Sequence, residues 1–197
     1  MQEKFDSPPV PSAIQRIASA FRITGWIGFW VQLVLSVVST LIFLFAIPSA
    51  GPRAGGGGAS NPGTGGSIFF AVCGLLVLYF SIYQAFRYTR LGLQLKDSNP
   101  NLRPKKADAI KVLRFGLTVS LVGLLLAVVG AEAITGTLLA KSLSQAQGGV
   151  AIYDPQFINR LIQPLDIFVV LANTHTITAH VAGVIVSLWL LSRVNKQ

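Results

Sequence analysis

Chemistry-bearing residues are scarce in this chain, which has one cysteine (Cys73) and two histidines (His175, His180) in 197 residues. A lone cysteine excludes an internal disulfide framework and any cysteine-clustered metal site. Acids are few as well: seven Asp and Glu stand against 16 Lys and Arg, and charged residues make up only 12%. That is too little charge to solvate a water-soluble globule of this size, while an apolar fraction of 52% excludes a disordered polymer. Enzyme signatures are missing too. There is no His-Glu-x-x-His, no nucleophile elbow and no nucleotide-binding fingerprint, so the chain is expected not to be an enzyme. The run Gly55 to Gly58 lacks both a Lys-Ser/Thr ending and a preceding strand. It reads as part of a flexible linker over 48–67 rather than a phosphate cradle.

What the chain has in quantity is long apolar sequence. Residues 26–47 contain Gln32 and a few hydroxyls, and residues 68–86 carry no charge. Residues 115–140 carry only Glu132, and 167–191 carry none. A hydrocarbon core about 30 Å thick takes roughly 20 helical residues to cross, and each stretch comes close to that or exceeds it. Lipid offers the backbone no hydrogen-bond partner, so helices are expected; the repeated alternation of a barrel is absent. The fold class is therefore all-α, a polytopic membrane protein with four transmembrane helices.

The net charge of +9 would suggest nucleic acid in a soluble protein. Here 13 of the 16 basic residues flank the spans on one side, leaving Arg53, Lys141 and Arg160 on the other. The positive-inside rule then places both termini and the central loop in the cytoplasm. The bases are expected to meet anionic lipid headgroups, not nucleic acid. The first span is too long, and starts too far into the chain, for a secretory h-region.

Residues 1–11, with Pro8, Pro9 and Pro11, read as a tail, and 12–197 as one membrane domain. Ser12 and Gln15 have capping-box spacing, and Ile14, Ile17, Ala18 and Phe21 share a helical face. A short amphipathic helix is expected there, lying in the interface and turning inward near Gly25. Residues 88–95 extend the second helix, Pro100 and Pro104 mark a turn, and Asp108 opens the third helix, giving a basic hairpin. Gln32-Leu33-Val34 is faintly echoed by Ser120-Leu121-Val122, as a tandem duplication would leave it.

Polar residues inside spans are the candidate functional ones. Asp166, Asn173, Thr176, His180, Gly183 and Ser187 recur at helical spacing and make one polar face on the fourth span. Water, a cation or a partner helix would each satisfy it. His175 falls off that face and forms no chelating pair with His180. Gly116, Ser120, Gly123, Ala127 and Gly130 form a small-residue stripe suited to close helix contact or to lining a pathway. Glu132 projects from the opposite side, as a satisfied interfacial acid or as a cation handler. His180, Asp166, Asn173 and Glu132 are the candidate metal-contacting residues.

Scattered polar matches carry a resemblance. Thr24-Gly25-Trp26, Phe29-Trp30-x-Gln32-Leu33-Val34, Tyr88-x-Arg90-Leu91 and Ala107-Asp108-x-x-Lys111-x-Leu113-Arg114-x-Gly116 are similar to a plant chloroplast inner-envelope family. So are Ala140-Lys141-x-Leu143, Leu165-Asp166-x-Phe168, Asn173-Thr174 and His180. That family is described both as an iron permease and as a subunit of the protein-import translocon, and has cyanobacterial members. The resemblance covers nearly everything from residue 16 onward. It implies four membrane helices and a role in iron homeostasis, with iron as transported ion rather than resident cofactor. The alternative is a non-transporting scaffold or translocon-type subunit. With no transit peptide evident, a cyanobacterial plasma or thylakoid membrane is expected. Four helices enclose little space, so a homo-oligomer or a membrane-protein partner is expected as well.

Overall fold

The computed structural model describes residues 12–50, 62–97, 99, 103–147 and 162–196. Among them are four α-helices and no strand: α1 (Ser12–Ala50), α2 (Pro62–Gln94), α3 (Lys106–Gln147) and α4 (Pro164–Asn195). All four are long and apolar enough to cross a membrane. Each outruns its apolar stretch, because Lys, Arg and Gln propagate a helix as well as Leu does. Local chemistry sets the ends. Asp108 sits in the first turn of α3, where a carboxylate offsets the helix dipole. At α4, Pro164 occupies the first turn, and the Gln163 amide donates to Asp166 Oδ2 at 2.9 Å.

The helices form a closed ring in which α1 packs on α2, α2 on α3, α3 on α4 and α4 back on α1; α2 and α4 also touch across the centre. Phe21, Tyr88, Leu91, Leu113 and Leu190 cluster at the end that carries the basic hairpin. Phe43, Leu75, Leu78, Ile134 and Ala172 cluster toward the other. The outer surface is apolar, with Phe45, Leu76, Leu125, Ile167 and Ile185 all exposed, as an integral membrane protein in contact with a bilayer requires.

Two expectations shift. The amphipathic segment at residues 14–21 is helical with the foreseen face, but it does not lie apart in the interface. It is continuous with α1, and its apolar side is covered by protein: Phe21 packs in the basic-end cluster, and Gly92 lies so close to the Ala18 carbonyl that a Cβ there would be 2.8 Å from it. Gly25 makes no turn; it lies within α1 and lets Thr89 of α2 approach closely. Residues 48–50 and 62–67, expected to be linker, are helical, since α1 reaches Ala50 and α2 begins at Pro62, and the run Gly55 to Gly58 lies outside the described residues. The tail at residues 1–11 lies outside the described residues.

The ring repeats itself. Gly28 of α1 faces Val186 of α4, and Gly116 of α3 faces the Tyr88 hydroxyl of α2. Ser39 Oγ donates to the Ala172 carbonyl at 2.8 Å, and Ala127 packs on Gly74. A shift of 88 residues carries Gly28 to Gly116 and Ser39 to Ala127. A shift of 98 carries Tyr88 to Val186 and Gly74 to Ala172. The α1–α2 and α3–α4 hairpins are thus parallel repeats about an approximate twofold running along the bundle. The echo of Gln32-Leu33-Val34 in Ser120-Leu121-Val122 has the same 88-residue spacing.

Candidate functional site

Polar side chains run through the middle of this apolar bundle. Gln32, Ser36 and Ser39 of α1, Ser81 and Gln84 of α2, Ser120 of α3, and Asn173, Thr176, His180 and Ser187 of α4 are all buried. The face of α4 read from the sequence is the spine of this file. From Asp166 to Ser187 it extends about 30 Å at helical rise, a hydrocarbon thickness.

The small-residue stripe of α3 makes the file possible. Gly123 leaves a notch that the His180 imidazole fills, and Gly116 accommodates the Tyr88 hydroxyl. On α4, Gly183 admits the Gln32 amide and lies 2.7 Å, measured from an ideal Cβ, from Ser120 Oγ. Each glycine therefore faces a side chain that a methyl group would displace.

The hydrogen bonds are of two kinds. Side chains bridge helices: Ser81 Oγ and Ser120 Oγ are 3.0 Å apart, and Tyr88 OH and Ser187 Oγ 3.1 Å. Others reach main-chain carbonyls, with Asn173 Nδ2 donating to Ala127 O at 2.9 Å and His180 Nε2 lying 3.1 Å from Gly74 O. A carbonyl only accepts, so in the neutral ring the proton sits on Nε2 and Nδ1 keeps its lone pair. That Nδ1 has no partner, and neither do Gln32 Oε1, Gln84 Oε1 and Nε2, or Asn173 Oδ1. Leaving a buried acceptor unmet costs about 1–3 kcal/mol.

The four candidate residues divide. Asn173 and His180 share the interior, two turns apart on α4. Asp166 lies at the mouth, where Lys141 Nζ is 2.7 and 2.8 Å from its two oxygens; it caps α4 and pairs with α3. Glu132 is exposed on the outer side of α3. Among the described residues no three His, Cys, Asp or Glu side chains converge. The members that spacing did not single out are Gln32, Ser81 and Gln84, Ser120 having been read with the α3 stripe. Their signal was present, since Gln32 and Gln84 are the only carboxamides in the first two apolar stretches.

The repeat isolates what packing does not require. The α2 counterparts of Asn173, Thr176 and His180 are Leu75, Leu78 and Ile82, all buried. Equivalent places in the ring are thus filled by hydrocarbon in one half and by hydrogen-bonding groups in the other.

A family model described as "Protein of unknown function (DUF3611)" matches residues 11–195. The chain is 31% identical over 192 residues to "Protein TIC 21, chloroplastic" of Arabidopsis thaliana, an alignment covering 94% of this chain and 60% of that protein. The chain therefore spans 60% of the length of the relative it matches. No solved structure matches it significantly.

Proposed function

The chain belongs to the DUF3611 family, and on that premise we propose that it is a permease-like membrane protein that passes a metal cation, ferrous iron in the first instance, along the polar file of α4. The carrying observation is the asymmetry between halves: Leu75, Leu78 and Ile82 against Asn173, Thr176 and His180. A bundle held together by hydrocarbon packing alone has no use for the second set, in which Asn173 Oδ1 and His180 Nδ1 lack partners and so cost stability. Carboxamide oxygen, hydroxyl and neutral imidazole are ligands that replace part of a hydration shell without trapping the ion. In this reading the basic hairpin and both chain ends face the cytoplasm beside anionic headgroups. The filled core opens by helix movement or against a second copy. No catalytic group is involved.

Purified protein in liposomes enclosing an iron-sensitive dye is expected to admit ferrous iron faster than protein-free vesicles, and His180→Ala to lower the rate at least severalfold. Equal rates with and without protein would overturn the proposal.

A non-transporting scaffold is the second reading. It is favoured by the closure of the core, with His180 seated in the Gly123 notch and bonded to Gly74. It predicts no flux and a stable complex with another membrane protein in mild detergent.

A further inference from the structure

The two hairpins of the bundle are alike in packing but not in charge. On the outer face of the α1–α2 pair, Arg22 and Arg90 are both exposed, and among the described residues neither is ion-paired. A shift of 88 carries Arg22 to Ile110, and a shift of 98 carries Arg90 to Leu188. The equivalent α3–α4 groove thus holds hydrocarbon at both places, with a single cation, Arg114, where Trp26 stands. Packing does not require the pair of arginines.

The close approach of α1 and α2 brings the two to one level. Gly92, two residues beyond Arg90, lies so near α1 that a Cβ there would be 3.0 Å from the Arg22 amide nitrogen. Arg22 shares a helical face with Phe29, seven residues on, and Phe29 meets Phe86 of α2, one turn before Arg90. The stems therefore rise from facing edges of one groove, roughly a helix–helix spacing of 8–10 Å apart, which two arginine side chains can close. Arg90 is held in place, its guanidinium 4.9 Å from the Phe86 ring centre. An aromatic ridge continues from there: Phe29 is 6.0 Å from Phe86, Trp26 stacks on Phe29 at 5.5 Å, and Trp30 is 5.8 Å from Trp26. Both indoles are nearly half exposed. Guanidinium forks match phosphate oxygens, indole N–H groups reach the ester oxygens of a headgroup, and the rings offer apolar surface to acyl chains.

We propose that Arg22 and Arg90 form a binding site for one anionic phospholipid in the leaflet at the basic end of the bundle. Its phosphate lies between the two guanidinium groups, and its chains lie against Trp26, Phe29 and Trp30. The site is a fixed one, distinct from the general attraction of the basic hairpin for an anionic surface. It rests on the chain spanning a bilayer and not on transport. A lipid seated there clamps α1 to α2.

Tryptophan fluorescence reads this site, because the chain has three tryptophans and two of them border it. Trp189→Phe removes the third, and the protein is reconstituted in bilayers of four parts phosphatidylcholine to one part brominated phosphatidylglycerol, whose bromine quenches the indoles it touches. Quenching is expected to exceed that by the same fraction of brominated phosphatidylcholine, corresponding to an apparent affinity at least threefold higher. Arg22→Gln with Arg90→Gln should abolish the preference. Lys111→Gln with Arg114→Gln removes the same charge from α3 and should leave the preference intact. Sodium phosphate in the buffer should not displace the lipid, since the free anion has no chains to hold. Equal quenching by the two lipids would overturn the site. So would an equal fall in both double variants, which would mean diffuse attraction, or displacement by phosphate, which would mean a site for a soluble anion. Thermal unfolding in detergent confirms that each variant keeps its fold. Should the first double variant not fold, Arg22→Gln and Arg90→Gln singly are each expected to lower the preference, and an unchanged preference in both would overturn the site.

Discussion

The His180 imidazole lies in the notch of Gly123, its Nε2 3.1 Å from the Gly74 carbonyl, so three helices meet at one ring. A methyl group on residue 123 would occupy the place of the ring. Gly123→Ala is expected to destabilise the protein by about 1–3 kcal/mol through overpacking. The change is read as a lower unfolding midpoint in detergent. Adding His180→Ala should recover part of the loss, because the two changes share one volume. Strict additivity would show that the ring does not fill the notch in solution.

Gln84 is buried with neither end of its amide bonded, and is the clearest instance of polarity without packing benefit. Gln84→Leu removes the desolvation penalty at nearly constant volume, so stability should rise by about 1 kcal/mol. Iron uptake should fall in the same variant. Falling stability would mean that water or a neighbouring group satisfies the amide.

Much of this arrangement is legible in the sequence. Four apolar stretches, the helical arms on either side of the basic turn and the polar face of α4 follow from spacing alone, because helical periodicity in lipid leaves the chain few alternatives; Pro100 of the turn lies outside the described residues. What does not follow is partnership. Spacing puts Asp166 on the same face as Asn173, yet Asp166 caps the helix and pairs with Lys141, a residue 25 positions earlier on another helix. The Gly123 notch and the Gly183 contact with Gln32 likewise depend on which helices adjoin. The repeat lies between these cases. Three apolar residues of echo carry little weight until Gly28 with Val186 and Gly116 with Tyr88 prove to be the same contact twice.

At the mouth, Lys141 and Asp166 have side chains about a quarter exposed. Solvent screening limits such a pair to about 1 kcal/mol or less. Lys141→Ala should therefore destabilise only slightly, by an amount that shrinks in high salt. Asp166→Ala should do more, about 1–2 kcal/mol, because the Gln163 amide loses its acceptor along with the ion pair. The two variants are compared by unfolding midpoint at low and high salt, and equal losses would mean that the cap contributes nothing.

The repeat supplies the most searching substitution. Asn173→Leu, Thr176→Leu and His180→Ile together give α4 the residues that α2 carries at the equivalent places, where Leu75, Leu78 and Ile82 are buried. Since α2 folds into the same ring with those residues, the triple variant is expected to assemble. Loss of the unmet Asn173 Oδ1 and His180 Nδ1 lone pairs should leave it at least as stable as the parent. Iron uptake should disappear, because the file then has hydrocarbon across its middle. If the file serves only to hold helices together, the opposite pattern follows: the triple variant unfolds at lower temperature than the parent, and no flux exists to be lost. Thermal unfolding in detergent and dye-based uptake on one preparation distinguish the two outcomes.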